Sequence, residues 1–186
     1  MKIRSVTIPS TLKVIGNKTF YACEQLEHIR FREGSALKEI GDATFHSCNR
    51  LRNIILPEGL EHIGELCFTK SGIEEITVPN SCQTIDRYAF YCCYSLKKVV
   101  FREGSKVERI CNGCFEQSGL KEFIAPPGLK EIESGAFYRC KKLKRVVLNE
   151  GLHALSGYHD DLLLNQFGVF EHSGIEEITL PSTIEV

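Results

Sequence analysis

The chain has 186 residues, 42% of them apolar and 25% charged, with a formal net charge of −1. That length and apolar share suit one domain with a sizeable buried core. The near-neutral balance gives no long-range field toward nucleic acid, and no apolar run approaches the roughly 20 residues a membrane-spanning helix needs.

Met1-Lys2-Ile3-Arg4 leads directly into Val6 and Ile8, without the apolar core of a secretion signal. That start suits a cytosolic protein or a segment cut from a longer one. The second is favoured, because neither Val6 nor Val186 is flanked by the polar capping unit that normally closes a repeat stack.

Phe20 is the first landmark, and Phe45, Phe68, Phe90, Phe115, Phe137 and Phe170 follow in the same frame. The intervals are 25, 23, 22, 25, 22 and 33 residues. A period in the low twenties is the signature of a solenoid. Six of these Phe have an Ile five residues earlier, and three residues after each Phe comes Cys or Ser: Cys23, Cys48, Ser71, Cys93, Ser118, Cys140 and Ser173. A slot that accepts either residue selects a small side chain with weak hydrogen-bonding capacity, so these cysteines are predicted to be buried free thiols. Cys23 and Cys48 fall in directly adjacent coils, which makes them the pair best placed for a disulfide.

A triplet of apolar residues comes next in every coil: Leu26/Ile29/Phe31, Leu51/Ile54/Leu56, Ile73/Ile76/Val78, Leu96/Val99/Phe101, Leu120/Phe123/Ala125, Leu143/Val146/Leu148 and Ile175/Ile178/Leu180. Its last three residues alternate as a half-buried strand does. Turn chemistry follows, as in Pro57-Glu58-Gly59, Pro79-Asn80-Ser81 and Pro126-Pro127-Gly128, and then a second apolar pair such as Leu60/Ile63 or Leu129/Ile132. No coil buries these residues alone, so stacking must. The fold class expected is a right-handed repeat solenoid of seven coils, β-rich, with one parallel sheet, short turns or one-turn helices, and a spine of stacked Phe.

The segments LPEGLEHIGELCF, LKEIESGAFYRCKKLKRVVL and SGIEEITLPSTIEV resemble the BspA-type leucine-rich repeat family. The resemblance covers the chain apart from residues 153–166. It implies a curved leucine-rich-repeat solenoid belonging to a larger cell-surface or secreted protein, with adhesion to proteins or cells as the associated role. The family's repeats define no catalytic residues, so no enzymatic activity and no cofactor are expected.

Several motifs reduce to the repeat. Cys111-Asn112-Gly113-Cys114 has the spacing of zinc and redox sites, yet in register Cys111 replaces Gly41 or Gly64 and Cys114 replaces Thr19, Thr44 or Ala89. Gly64–Ser71 imitates a phosphate loop but carries Thr69 where the second glycine belongs. The six His occupy unrelated repeat slots.

Two features remain. The outward residues of the strand triplets are Arg30, Ile55, Thr77, Val100, Ile124, Val147 and Thr179. Ile55, Val100, Ile124 and Val147 form an apolar stripe, rimmed by Lys98, Lys121 and Arg145 among other cations, which is the candidate site for a protein or glycan partner. The alternative role is a stalk or spacer with no binding of its own. The other feature is an insertion of ten residues placed within 153–166, where Leu162-Leu163-Leu164 is expected to form a short covering helix. His159, Asp160 and Asp161 within it are too close in sequence to enclose a metal unaided.

Overall fold

A computed structural model describes residues 2–156 and 167–182 of the chain. Its strands fall into two rows. The first row holds β1 (Ser5–Ile8), β3 (His28–Phe31), β6 (Glu75–Val78), β8 (Lys98–Phe101), β10 (Glu122–Ile124), β12 (Arg145–Val147) and β14 (Glu177–Thr179). The second holds β2 (Val14–Ile15), β4 (Glu39–Ile40), β5 (His62–Ile63), β7 (Thr84–Ile85), β9 (Arg109–Ile110), β11 (Glu131–Glu133) and β13 (Ala154–Ser156). Every pairing is parallel and joins one coil to the next in register, as in Val6 with Ile29, Phe123 with Val146, and Ile40 with Ile63. The chain is a β-solenoid of about seven turns.

The single continuous sheet expected from the sequence is corrected to two faces, both interrupted. The first row breaks into β1–β3, β6–β8 and β10–β12–β14, and the second into β2–β4–β5–β7 and β9–β11–β13. The apolar pair after each turn makes its own ladder, because backbone groups leaving the core have only the neighbouring coil to bond.

One-turn helices are also absent among the described residues. The arc around each Phe is instead a run of overlapping turns. In the first coil, Thr19 N–H donates to Gly16 O, Tyr21 to Lys18 and Cys23 to Phe20, while Lys18, Phe20 and Ala22 donate forward to Asp42, Thr44 and His46. Alternate amides therefore close turns and bind the next coil. That alternation needs positive φ two residues before and two after the Phe, as at Lys18 (57°) and Ala22 (53°), Leu66 (57°) and Lys70 (56°), or Tyr88 (56°) and Cys92 (54°). Each such non-glycine residue costs about 1–2 kcal/mol, which is offset by bonds that a helix would have kept within the coil.

The Phe spine forms as expected. Phe20, Phe45, Phe68, Phe90, Phe115, Phe137 and Phe170 stack in order, with ring centroids 5.3–5.5 Å apart and planes within 17°. Beside it runs the thiol–hydroxyl ladder. Cys48 Sγ donates to Phe20 O at 3.2 Å, Cys93 to Phe68 O at 2.9 Å and Cys140 to Phe115 O at 3.0 Å, while Ser71 and Ser118 touch Cys93 and Cys140. All nine cysteines are buried and none is in a disulfide, Cys23 and Cys48 included.

The short Ser-Gly arcs nest on the Cys arcs before them. Gly119 N–H donates to Cys93 O, and a Cβ on Gly119 would lie 2.2 Å from Tyr94 O. Gly72 and Gly174 meet Asn49 O and Lys141 O at the same distance. Only glycine fits that approach.

The repeat continues past His153, so the ten extra residues expected within 153–166 fall after Ser156. Ala154–Ser156 pairs with Glu131–Glu133 as an ordinary second-row strand, and Gly135 N–H donates to Phe167 O as Lys18 does to Asp42 O. His153 through Ser156 thus belong to the repeat. The expected Leu162–Leu164 helix and the His159, Asp160 and Asp161 group lie outside the described residues.

Candidate functional site

The strand register places the outward residues of the first row in one file across the solenoid. Thr7 lies beside Arg30, Thr77 beside Val100, Ile124 beside Val147, and Val147 beside Thr179. Their exposure differs more than the sequence implies. Ile55 is 87% exposed and Ile124 50%, whereas Val100 and Val147 are half-buried between their neighbours. The stripe is therefore proud of the surface at two points and shallow at two others. A break in the ladder between β8 and β10 also separates Val100 from Ile124.

The cationic rim is reduced by pairing. Arg145 is held by Glu122 on one side and Glu177, at 3.7 Å, on the other. Lys97 and Arg52 both reach Glu74, at 2.7 and 2.6 Å, and hold its carboxyl below the usual range. Lys144 pairs with Glu176 at 2.5 Å. Among the described residues Lys98 and Lys121 make no ion pair. Exposed pairs of this kind contribute little stability each, so their main effect is to leave the face close to neutral.

A concavity on this face lies elsewhere, between coils two and three. Among the described residues, 52–56 donate no backbone bond to β3, while the following coil holds them by the bridge from Asn53 to Glu75 and by Glu74 N–H donating to Arg52 O. A groove of about 680 Å³ opens there, with Ile29 and Leu56 at its floor and His28, Arg30, Arg32, Asn53 and Ile55 on its walls. This step is also the one place where a Cys-type arc, ending in Cys48, follows another Cys-type arc, ending in Cys23. Sequence reasoning found Ile55 and missed the groove. Its available signal was the alternation His28-x-Arg30-x-Arg32, three basic side chains on one strand face.

The Cys111–Cys114 pair is structural. Cys114 N–H donates to Cys111 O at 3.1 Å, the same turn bond that Cys67 makes to Gly64. Burial pushes Cys111 up to about 12 and Cys114 well above its ordinary value, which disfavours the thiolate form of both. Among the described residues no group of three or more His, Cys, Asp and Glu side chains is placed to hold a metal ion. Nor is any helix among them long and apolar enough to cross a membrane.

The profile of BspA-type leucine-rich repeat regions matches six copies over residues 1–118 and 83–159. The chain belongs to this family. A leucine-rich repeat protein of Bacteroides ovatus is similar over 98% of this BspA-type chain at 30% identity, with a TM-score of 0.82. The match spans only 44% of that longer chain. The Treponema pallidum leucine-rich repeat protein is similar at 27% identity and a TM-score of 0.65, covering 98% of this chain and 72% of that one. A leucine-rich repeat protein of Eubacterium ventriosum shares the fold at 18% identity and a TM-score of 0.65, covering 96% of this chain and 60% of that one. No curated protein matches.

Proposed function

We propose that this BspA-type solenoid is a non-catalytic recognition scaffold, set at a cell surface or in a secreted protein, that binds a protein or glycan through its first strand row. One observation carries the reading. The outward side chains of successive coils stand in a single register across a row with no helix over it, and that row displays Ile124 with Val100 and Val147 beside it and Lys98 and Lys121 unpaired at its rim. Apolar contact supplies attraction, and free charge sets orientation and association rate. The family resemblance supports the surface setting. The buried, protonated thiols and the absence of a metal-ligand cluster among the described residues leave this region without an evident reaction centre.

The experiment compares the wild-type chain with Val100→Asp/Ile124→Asp/Val147→Asp on immobilised extracellular proteins and anionic glycans. Lys98→Glu/Lys121→Glu serves as a second variant, because it leaves the half-buried Val side chains intact. Loss of binding in the first and slower association in the second are expected. Unchanged binding in both removes this face from consideration and favours the stalk role.

A further inference from the structure

A separate site lies at the groove between coils two and three, and its chemistry points to one kind of occupant. β3 is paired on one edge only, with β1. Its other edge faces residues 52–56, which give it no backbone bond. An open strand edge beside an apolar floor is the arrangement that takes an added strand from a partner. The floor is Ile29 and Leu56, 7% and 6% exposed, and Ile55 stands 87% exposed on the far wall.

Charge narrows the occupant. His28 and Arg30 alternate along β3 and project from its outward side, Arg32 follows directly after the strand, and all three are exposed. Among the described residues neither Arg30 nor Arg32 has an ion pair, in contrast to Arg50, Arg52 and Arg102, which are held by Glu27, Glu74 and Glu58. Two carboxylates also line the turn end of the groove, Glu58, which is engaged by Arg102, and Glu33.

We propose that this groove binds an extended peptide segment of a partner protein in which acidic and apolar residues alternate, its backbone pairing with the open edge of β3. The acidic side chains lie outward beside Arg30 and Arg32, as opposite charges do on neighbouring strands. The apolar ones turn inward over Ile29 and Leu56. β3 has four residues, about 13 Å of strand, which sets the contact at four to six peptide residues. The volume of about 680 Å³ falls within the size range of ligand clefts. This site shares no residue with the patch at Val100, Ile124 and Val147, and it stands or falls independently.

The probe is a fluorescent eight-residue peptide of alternating Glu and Val, titrated with the 186-residue chain and followed by anisotropy. Saturable binding is expected, weakened at least tenfold by raised salt, by Arg30→Glu/Arg32→Glu, and by N-methylation of the peptide's amides, which removes backbone donors while keeping charge and side chains. An alternating Lys and Val peptide is expected not to bind, and Val100→Asp/Ile124→Asp/Val147→Asp is expected to bind the Glu peptide as wild type does. These peptide arms need no variant to fold. Equal binding of the Lys peptide, or undiminished binding of the N-methylated one, overturns the proposal. The second result, with displacement by heparin, would identify a general anion surface instead.

Discussion

Truncating the middle of the spine tests the architecture most directly. Phe90 is fully buried and stacks between Phe68 at 5.3 Å and Phe115 at 5.4 Å. Phe90→Ala removes a large core side chain, which costs about 3–5 kcal/mol through lost transfer energy and the cavity left behind. The two ring contacts, each about 0.5–1.5 kcal/mol beyond area, place it in the upper half of that range. Phe20 provides the internal comparison, since it is 9% exposed and stacks only on Phe45, at 5.5 Å. In the 186-residue chain Phe20→Ala should cost about 2–3 kcal/mol, because stability in a solenoid sums over neighbouring coils and one ring contact is lost instead of two. Phe90→Leu, which keeps most of the apolar volume, should cost about 1.5 kcal/mol or less. Urea denaturation followed by far-UV circular dichroism reads all three. Equal losses for Phe20→Ala and Phe90→Ala, or a loss below about 2 kcal/mol at Phe90, would refute a spine built from ring-on-ring stacking.

Gly119→Ala should destabilise by about 2–3 kcal/mol, because the added Cβ would sit 2.2 Å from Tyr94 O, a backbone atom that cannot swing aside. Gly128→Ala is the control, with ordinary contact at 3.6 Å and no positive φ, and should change stability by less than about 1 kcal/mol in the same urea titration. The ladder thiols should resist an exposed-thiol reagent at pH 8 in the native protein and react on unfolding. Burial raises Cys48 and Cys93 to about 12 and Cys140 to about 11, which leaves little thiolate at that pH. Rapid native modification of these three would show that the arcs open.

Recurrence made most of the fold legible. Seven Phe in one frame, a Cys/Ser slot three residues later and an apolar triplet after that specify stacking, since no single coil can bury them. The identity of the slot residue even marked which arcs are long and which are short. What one coil's residues cannot show is how far its backbone groups find partners in the next. The second ladder, the left-handed residues flanking each Phe and the missing ladder between β3 and residues 52–56 all depend on coil-to-coil hydrogen bonds, which join residues more than 20 apart. Exposure behaved likewise. Val100, Ile124, Val147 and Ile55 occupy one repeat slot, yet they range from half-buried to 87% exposed, because the spacing of neighbouring coils decides how much of each side chain meets water. The charges told the same story, for Arg145 and Arg30 are equivalent as letters. Only stacking put Glu122 and Glu177 around the first and left the second facing an open groove.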